Sequence, residues 1–244
     1  MGRGPTVEGR KNAEDAKRAK VFTKLIREIT VASRSGMADP ALNPRLRAAV
    51  DKALAANMTR DTIDRAVKRG AGAEGGVDMH EMRYEGYGPA GVALIIDCVT
   101  DNPVRTVADV RHALTKHGGN LGTSGSVAFQ FNRCGELVFA STGDAAQEEK
   151  ILEAALEAGA DDVVSEAGES SVLCAPESFE AVQQALVAAG LKPARADVVM
   201  RPANRVAIPD EAQETLLDLL DWLDELDDVH EIYHNAVLPP EAAE

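Results

Sequence analysis

Basic side chains recur at helical spacing near the start of the chain. Four of them fall at i, i+3, i+7 and i+10, and we call this set the cation row: Lys17, Lys20, Lys24 and Arg27. A helix places all four on one face. Cations in such a row can align with phosphates and gain affinity from counterion release. The spacing therefore indicates contact with a nucleic-acid backbone, and the alternative is a solvated helix face, which is common for Lys and Arg.

Positive charge is concentrated in the first part of the chain. Residues 1–72 hold 16 Lys and Arg against 8 Asp and Glu, a net charge of +8, whereas residues 73–244 carry −22. The total of −14 alone argues against a nucleic-acid partner, but this distribution favours one at the basic end. The predicted nucleic-acid-binding residues are Arg3, Arg10, Lys11, Lys17, Arg18, Lys20, Lys24, Arg27, Arg45, Arg47, Lys52, Arg60, Lys68 and Arg69. Because aromatic residues make up only 4% of the chain, we expect recognition of backbone or shape rather than of stacked bases.

The basic residues lie on segments that read as helices. An apolar stripe at Phe22, Leu25, Ile26 and Ile29 follows the helical period. Asn43-Pro44 and Thr59 predict the starts of two further helices, and Gly70 predicts the end of the last one. No single helix can bury its stripe alone, so residues 11–70 are predicted to form a small bundle. A flexible linker is predicted at 71–76.

The acidic remainder mixes strands and helices. Residues 135–202 follow the order β-α-β-β-α-β, which is typical of a ferredoxin-like unit. The flanking segments, including a strand predicted at Ser126–Phe131, indicate a second α/β domain that the first one interrupts. The expected fold is α+β: an N-terminal helical bundle followed by two ferredoxin-like α/β domains, one inserted in the other. The predicted domains are 1–72, 77–133 plus 203–240, and 134–202.

The helix predicted at 210–226 carries an acidic stripe beside its leucines. The stripe consists of Glu214, Asp218, Asp221, Glu225 and Asp228. Its ordinary interpretation is a solvated face. The sharper hypothesis is that this stripe docks against residues 1–72, the basic helical head, when no nucleic acid is bound.

Other chemistry has little support in the sequence. The glycine-rich segment 117–126 lacks the Gly-Lys-Ser/Thr ending of a phosphate loop, and it is interpreted as a structural connection. Three widely spaced cysteines indicate neither a disulfide framework nor a zinc site, so we expect no metal and no cofactor. No catalytic constellation assembles, and an enzyme is not expected; a hydrolase using His117 and Ser124 is a rival reading. Another rival is an interaction module whose acidic body grips a basic protein.

The predicted location is the cytoplasm, with no membrane partner and no small-molecule substrate. The chain has no run of about 18 apolar residues and no apolar core of a signal peptide at its start. An odd number of widely spaced cysteines fits a reducing compartment.

Four sequence runs resemble the bacterial YebC/PmpR family, to which the mitochondrial translational activator of cytochrome c oxidase is related. They are VFTKLIREITVASRSG (21–36), NPRLRAAVDKALAANM (43–58), RYEGYGPAGVALIIDCVTDNPVRTVADVRHALTKHGGNLGTSGSVAFQF (83–131) and YHNA (233–236). The resemblance implies a cytoplasmic protein with a helical domain and two α/β domains, one inserted in the other, and no known catalysis or cofactor. It implies a DNA-binding transcriptional regulator or, alternatively, a ribosome-associated factor that eases synthesis of proline-rich stretches. In both cases the basic N-terminal part contacts nucleic acid.

One segment departs from the family pattern. Many members begin with an arm of the type His-Ser-Lys-Trp-Ala-Asn-Ile-Lys-His-Arg-Lys, whereas residues 2–12 here read GRGPTVEGRKN. The tryptophan and both histidines are missing. This departure predicts the loss of any stacking contact from the arm.

Overall fold

The computed structural model describes residues 7–72, 78–140, 145–166 and 168–238, with side chains from residue 17 onward except at position 166. The chain divides into two compact units. The first consists of Met1–Ser126 with Pro209–Ile232, and the second of Val127–Ile208 with Tyr233–Glu244. The helical head and most of the discontinuous α/β segment belong to the first unit, whereas its residues 127–133, 203–208 and 233–240 join the predicted insertion at 134–202 in the second unit. The division into three domains stays a prediction.

Seven α-helices and ten strands are described along the chain. The helices are α1 (Val7–Ser35), α2 (Pro44–Ala55), α3 (Arg60–Gly70), α4 (Pro103–Lys116), α5 (Ala145–Glu157), α6 (Phe179–Ala188) and α7 (Asp210–Asp224). The strands are β1 (His80–Tyr87), β2 (Ala93–Thr100), β3 (Asn120–Leu121), β4 (Phe131–Ala140), β5 (Asp162–Glu166), β6 (Glu169–Cys174), β7 (Arg195–Pro202), β8 (Val206–Ala207), β9 (Val229–His234) and β10 (Ala236–Val237). Among the described residues, no helix is long and apolar enough to cross a membrane.

Helices α1, α2 and α3 form the predicted bundle. The Asn43 side chain caps α2 by accepting a hydrogen bond from the Leu46 amide at 3.1 Å, and its own amide donates to the Ala32 carbonyl of α1. Thr59 caps α3 in the same way. The apolar stripes meet in one core that includes Ile29, Leu46 and Ile63. These contacts confirm the helical head and both predicted helix starts.

Gly70 allows the end of α3 to approach α1 closely. A β-carbon at this position would lie 2.3 Å from the Thr30 carbonyl oxygen and 2.7 Å from the Ser33 β-carbon. The Ser33 hydroxyl donates to the Val67 carbonyl at 2.8 Å, which fixes the same contact from the α1 side. The head therefore depends on a residue without a side chain at this crossing.

The sheet of the first unit has the strand order β3-β1-β2-β9. Strands β1 and β2 form an antiparallel hairpin in which Tyr84 is paired with Ile96. Strand β2 is buried along most of its length, and α7 contributes Leu216, Leu219 and Leu223 to the interior. The leucine stripe predicted for the C-terminal helix is therefore a core face.

The second unit contains the predicted ferredoxin-like arrangement. Its sheet has the order β5-β6-β4-β7 with every neighbouring pair antiparallel. Helices α5 and α6 cover the sheet through Ile151 and Leu186, which pack with Leu137 of β4 and Val172 of β6. The order β-α-β-β-α-β is confirmed.

The strand predicted at Ser126–Phe131 is wrong. Residues Ala128–Gln130 form a short 3₁₀ turn, closed by a hydrogen bond from the Gln130 amide to the Val127 carbonyl, and β4 begins only at Phe131. The alternation of buried and exposed residues arises because Phe129 points outward from this turn. The strand beside β1 is instead β3, from the glycine-rich segment. A β-carbon on Gly119 would lie 2.2 Å from the Tyr87 carbonyl, so glycine is required for that approach.

Candidate nucleic-acid interface

Three members of the cation row are paired with one acidic segment. Lys20 forms an ion pair with Glu225, Lys24 Nζ lies 2.5 Å from Asp224 Oδ1, and Arg27 Nη1 lies 2.5 Å from Asp228 Oδ1. We call Asp224, Glu225 and Asp228, which lie at and just after the end of α7, the acidic segment. The structure confirms a contact between the end of the C-terminal helix and the basic head, and its dependence on nucleic acid stays a hypothesis.

Only part of the predicted acidic stripe makes this contact. Within the described residues, no ion pair joins Glu214, Asp218 or Asp221 to the head, and Asp224, absent from the predicted stripe, takes part instead. The reason is geometric: the cations meet the last turn of α7 and the residues after it, so position along the helix selects the partners.

The three pairs differ in their exposure to solvent. The side chains of Asp224 and Glu225 are 70% and 69% exposed, whereas that of Asp228 is 8% exposed. The outer pairs therefore lie in water, where an ion pair is worth about 0–1 kcal/mol. The Arg27–Asp228 pair lies at the inner end of the contact.

Asp228 is the centre of a hydrogen-bond network. It accepts from Arg27 at 2.5 Å, from Arg105 Nη2 at 2.8 Å and from the Thr106 hydroxyl at 2.8 Å. Burial opposes its ionisation, but these hydrogen bonds outweigh burial, so the pKa of Asp228 lies below its ordinary value. Arg27 also donates to the backbone carbonyls of Val99 and Asp227. The Arg27 guanidinium is thus committed to joining α1 to the sheet.

A second group of predicted cations supports the head. Arg45 binds both Glu28 and Glu81, and Arg47 donates to the carbonyls of Pro40 and Ala41 in the loop before α2. Burial raises the pKa of Glu28, but the hydrogen bond and charge of Arg45 outweigh it and lower that pKa, with help from Lys52 and His230. The structure therefore places Arg45, Arg47 and Lys52 within networks of the first unit.

The remaining described cations of the predicted set are exposed on the head. Arg18 lies over the Phe22 ring, 5.3 Å from its centroid. No ion pair joins the others to any described residue, and they are Lys17, Arg60, Lys68 and Arg69. Arg3 lies outside the described residues, as do the side chains of Arg10 and Lys11.

Arg69 lines an open groove of about 480 Å³ between the ends of α1 and α3. Thr30, Ser33 and Gly70 form part of its wall, and Arg34 provides a second guanidinium, which forms a surface ion pair with Asp78. Sequence reasoning missed Arg34 because the stripe was followed only as far as Arg27. Its place as a basic residue in the last turn of α1 was the available signal.

The rival sites do not assemble into a catalytic or metal centre among the described residues. His117 Nδ1 lies 2.8 Å from the Ala113 carbonyl, and its ring packs edge-on against Trp222. His112 contacts the same tryptophan. The two histidines are five positions apart and would not share a face of one helix, but His117 lies just past the end of α4 and can reach the same ring. The described residues contain no contact between His117 and Ser124 and no group of three or more metal-ligating side chains.

In the glycine-rich segment, the Gly125 amide donates to the buried Glu85 carboxylate at 2.7 Å, as expected of a structural connection.

The cysteines are unpaired. Cys98 and Cys174 are buried and Cys134 is half-buried. Burial raises the pKa of Cys98 to about 12, so its thiol stays protonated at neutral pH. These residues behave as small apolar side chains.

Two family models together match most of the chain. The model of the TACO1/YebC protein N-terminal domain matches residues 4–73, and that of the TACO1/YebC second and third domain matches residues 79–236. A probable transcriptional regulatory protein of Xanthomonas oryzae pv. oryzae is 57% identical over 237 residues, covering 96% of this chain and 97% of the relative. One of Stenotrophomonas maltophilia is 55% identical over 244 residues, covering 99% of each. The crystal structure of a conserved hypothetical protein from Aquifex aeolicus matches with a TM-score of 0.83 and 42% identity over 94% of each chain.

Proposed function

Because the chain belongs to the TACO1/YebC family, we propose that it is a non-enzymatic, nucleic-acid-binding regulator of gene expression that contacts phosphates through its basic helical head. The names of its relatives, probable transcriptional regulatory proteins, support the regulatory role. They also favour DNA as the partner. The same proposal places the protein in the cytoplasm.

One observation carries the proposal: successive turns of α1 hold carboxylates side by side. Lys20, Lys24 and Arg27 each bind an anionic oxygen of one segment. Phosphate oxygens have the same charge sign and accept the same charge-assisted hydrogen bonds. Lys17 continues the row on its exposed side, so a phosphate backbone along α1 would meet Lys17, Lys20 and Lys24 in turn.

The strongly acidic body supports ribosomal RNA as the alternative partner. Residues 73–244 carry a net charge of −22, and phosphates on either side of a short duplex footprint would repel them. A folded RNA lets a narrow basic head insert while the acidic body faces protein or solvent. In this alternative the protein is a ribosome-associated translation factor that eases synthesis of proline-rich stretches.

The test compares two partners across a salt series. Mobility shifts on promoter DNA and co-sedimentation with ribosomes are measured with the full chain. Sequence-preferring DNA binding supports the transcriptional role, whereas co-sedimentation without DNA sequence preference supports the translational one. Failure of both would overturn the proposal.

Charge variants locate the interface. We expect the double variant Lys17→Ala with Lys20→Ala to weaken binding by about tenfold, because two phosphate contacts are lost. Each lost contact should also lower the slope of log affinity against log salt by about one. The matched control is Lys150→Ala with Lys192→Ala, which removes two exposed lysines from the second unit. Equal losses in both variants would indicate a general charge effect and contradict an interface on the head. A corresponding loss in Lys68→Ala with Arg69→Ala would extend the interface to the groove.

A further inference from the structure

We propose that the end of α7 is an internal competitor for the cation row: nucleic acid displaces Asp224 and Glu225 from Lys24 and Lys20, while the Arg27–Asp228 pair stays closed as an anchor. This inference rests on the proposed function and adds its regulation. Lys20 and Lys24 then bind phosphates only after the outer part of an intramolecular contact has opened.

The competing groups are chemically equivalent. Asp224 and Glu225 present carboxylate oxygens to the two lysines, and a phosphate would present oxygens of like charge to the same ammonium groups. A lysine ammonium is a compact point charge that exchanges one oxyanion for another without a demand for bidentate geometry. When phosphate replaces carboxylate, each lysine therefore loses one charge-assisted hydrogen bond to an oxyanion and gains another.

Exposure divides the contact into a releasable part and a fixed part. The carboxylates of Asp224 and Glu225 are mostly in solvent, so their ion pairs are weak and screened by salt. Asp228 is nearly buried and is held by three side chains, two of which belong to α4. Removing Arg27 from this site would leave a buried carboxylate short of a partner, which is costly. Opening of the outer pairs does not require opening of the inner one.

The charge of the helix end explains why the contact forms at all. The C-terminal end of a helix carries a partial negative charge, and α7 has acidic residues but no basic residue in its last turn. The acidic side chains at this end of α7 are therefore repelled by the partial negative charge of the helix terminus. Lys20, Lys24 and Arg27 of α1 supply the missing cations, so α7 and the cation row stabilise each other until a stronger polyanion arrives.

Neutralising the outer carboxylates tests the proposal in the full chain. Asp224→Asn with Glu225→Gln should tighten binding of a short fluorescent DNA duplex and of an RNA hairpin by about tenfold at low salt, because the competitor is removed. The matched control, Asp218→Asn with Asp221→Asn, changes the net charge equally on exposed positions of the same helix and should shift affinity by no more than about twofold. The single variants Asp224→Asn and Glu225→Gln should each show part of the gain.

The outcomes separate the competitor from the proposed function. Equal tightening in the test and control variants would indicate bulk charge and overturn the competitor, as would unchanged or weaker binding in the test variant. If wild type and all variants fail to bind either probe, both the proposed function and the internal competitor are overturned.

Tryptophan fluorescence provides a second measurement, because Trp222, the only tryptophan, lies two residues before Asp224. Its fluorescence should change when the duplex is added to the wild type, and no change despite binding would overturn the displacement.

Discussion

Asp228 joins parts of the first unit that are distant in sequence. Its carboxylate contacts Arg27 of α1 together with Arg105 and Thr106 of α4. Each of these donors lies more than one hundred residues away along the chain. At the residue scale, this carboxylate connects α1 of the helical head with α4.

Replacing Asp228 should lower stability in a pH-dependent way. Its pKa is depressed in the folded state, so its contribution is complete above the ordinary value near 3.8 and is lost as the pH falls through the lower folded value. Asp228→Asn should reduce the free energy of unfolding at neutral pH by about 2–3 kcal/mol, because charged hydrogen bonds to two arginines are lost. Urea unfolding at neutral and acidic pH measures both effects.

The exposed Asp221→Asn variant provides the comparison for Asp228. It should leave the unfolding midpoint nearly unchanged at neutral pH, since surface substitutions shift stability by less than about 0.5 kcal/mol. The difference in the free energy of unfolding between wild type and Asp228→Asn should also become smaller as the pH falls, because Asp228 of the wild type is then protonated. A gap that stays constant would contradict the ionised network.

At the scale of elements, the crossing of α1 and α3 depends on Gly70. Gly70→Ala should destabilise the protein by about 1–3 kcal/mol, because the added methyl group meets the Thr30 carbonyl and forces the helices apart. A lower urea midpoint is the measurement. Ala71→Ser, at the adjacent exposed position, should be close to neutral. An unchanged midpoint for Gly70→Ala would show that the end of α3 can shift without cost.

The sequence predicted the helices and the ferredoxin-like unit because local signals determine them. Asn43-Pro44 and Thr59 specify helix starts through side-chain caps, and burial alternates along β6 with the strand period of two. The turn at Ala128–Gln130 and strand β3 escaped prediction for the opposite reason. Both are determined by contacts with distant parts of the chain, and β3 is a two-residue strand whose pairing with β1 requires the bare backbone of Gly119.

The candidate site shows the same division. Helical spacing alone placed Lys20, Lys24 and Arg27 on one face, since that follows from the period of the helix. Their partners could not be found in this way, because Lys24 and Asp224 are 200 positions apart. Patterns within an element show which faces are charged, but only the tertiary fold determines which faces meet.

At the scale of the whole molecule, salt dependence should reveal the intramolecular contact. Phosphate binding releases counterions, but in the wild type the freed carboxylates of Asp224 and Glu225 take up ions again. The slope of log affinity against log salt should therefore be steeper by about one or two in Asp224→Asn with Glu225→Gln than in wild type. Fluorescence anisotropy with the labelled duplex, repeated from low to moderate salt, measures both slopes.

Parallel salt dependence in the two proteins would count against this linkage. Asp218→Asn with Asp221→Asn again serves as the comparison and should follow the wild-type slope. The prediction concerns the difference in slope rather than affinity, so it does not depend on the identity of the nucleic acid.

The distance along the chain between the two sides of the contact has a consequence for biosynthesis. Arg27 and Asp228 are separated by 201 positions, with most of the second compact unit between them. A ribosome translating this protein therefore releases the cation row first and the segment that covers it last. Throughout that interval the nascent chain presents an uncovered basic helix close to ribosomal RNA, and the row becomes shielded only when the first unit closes.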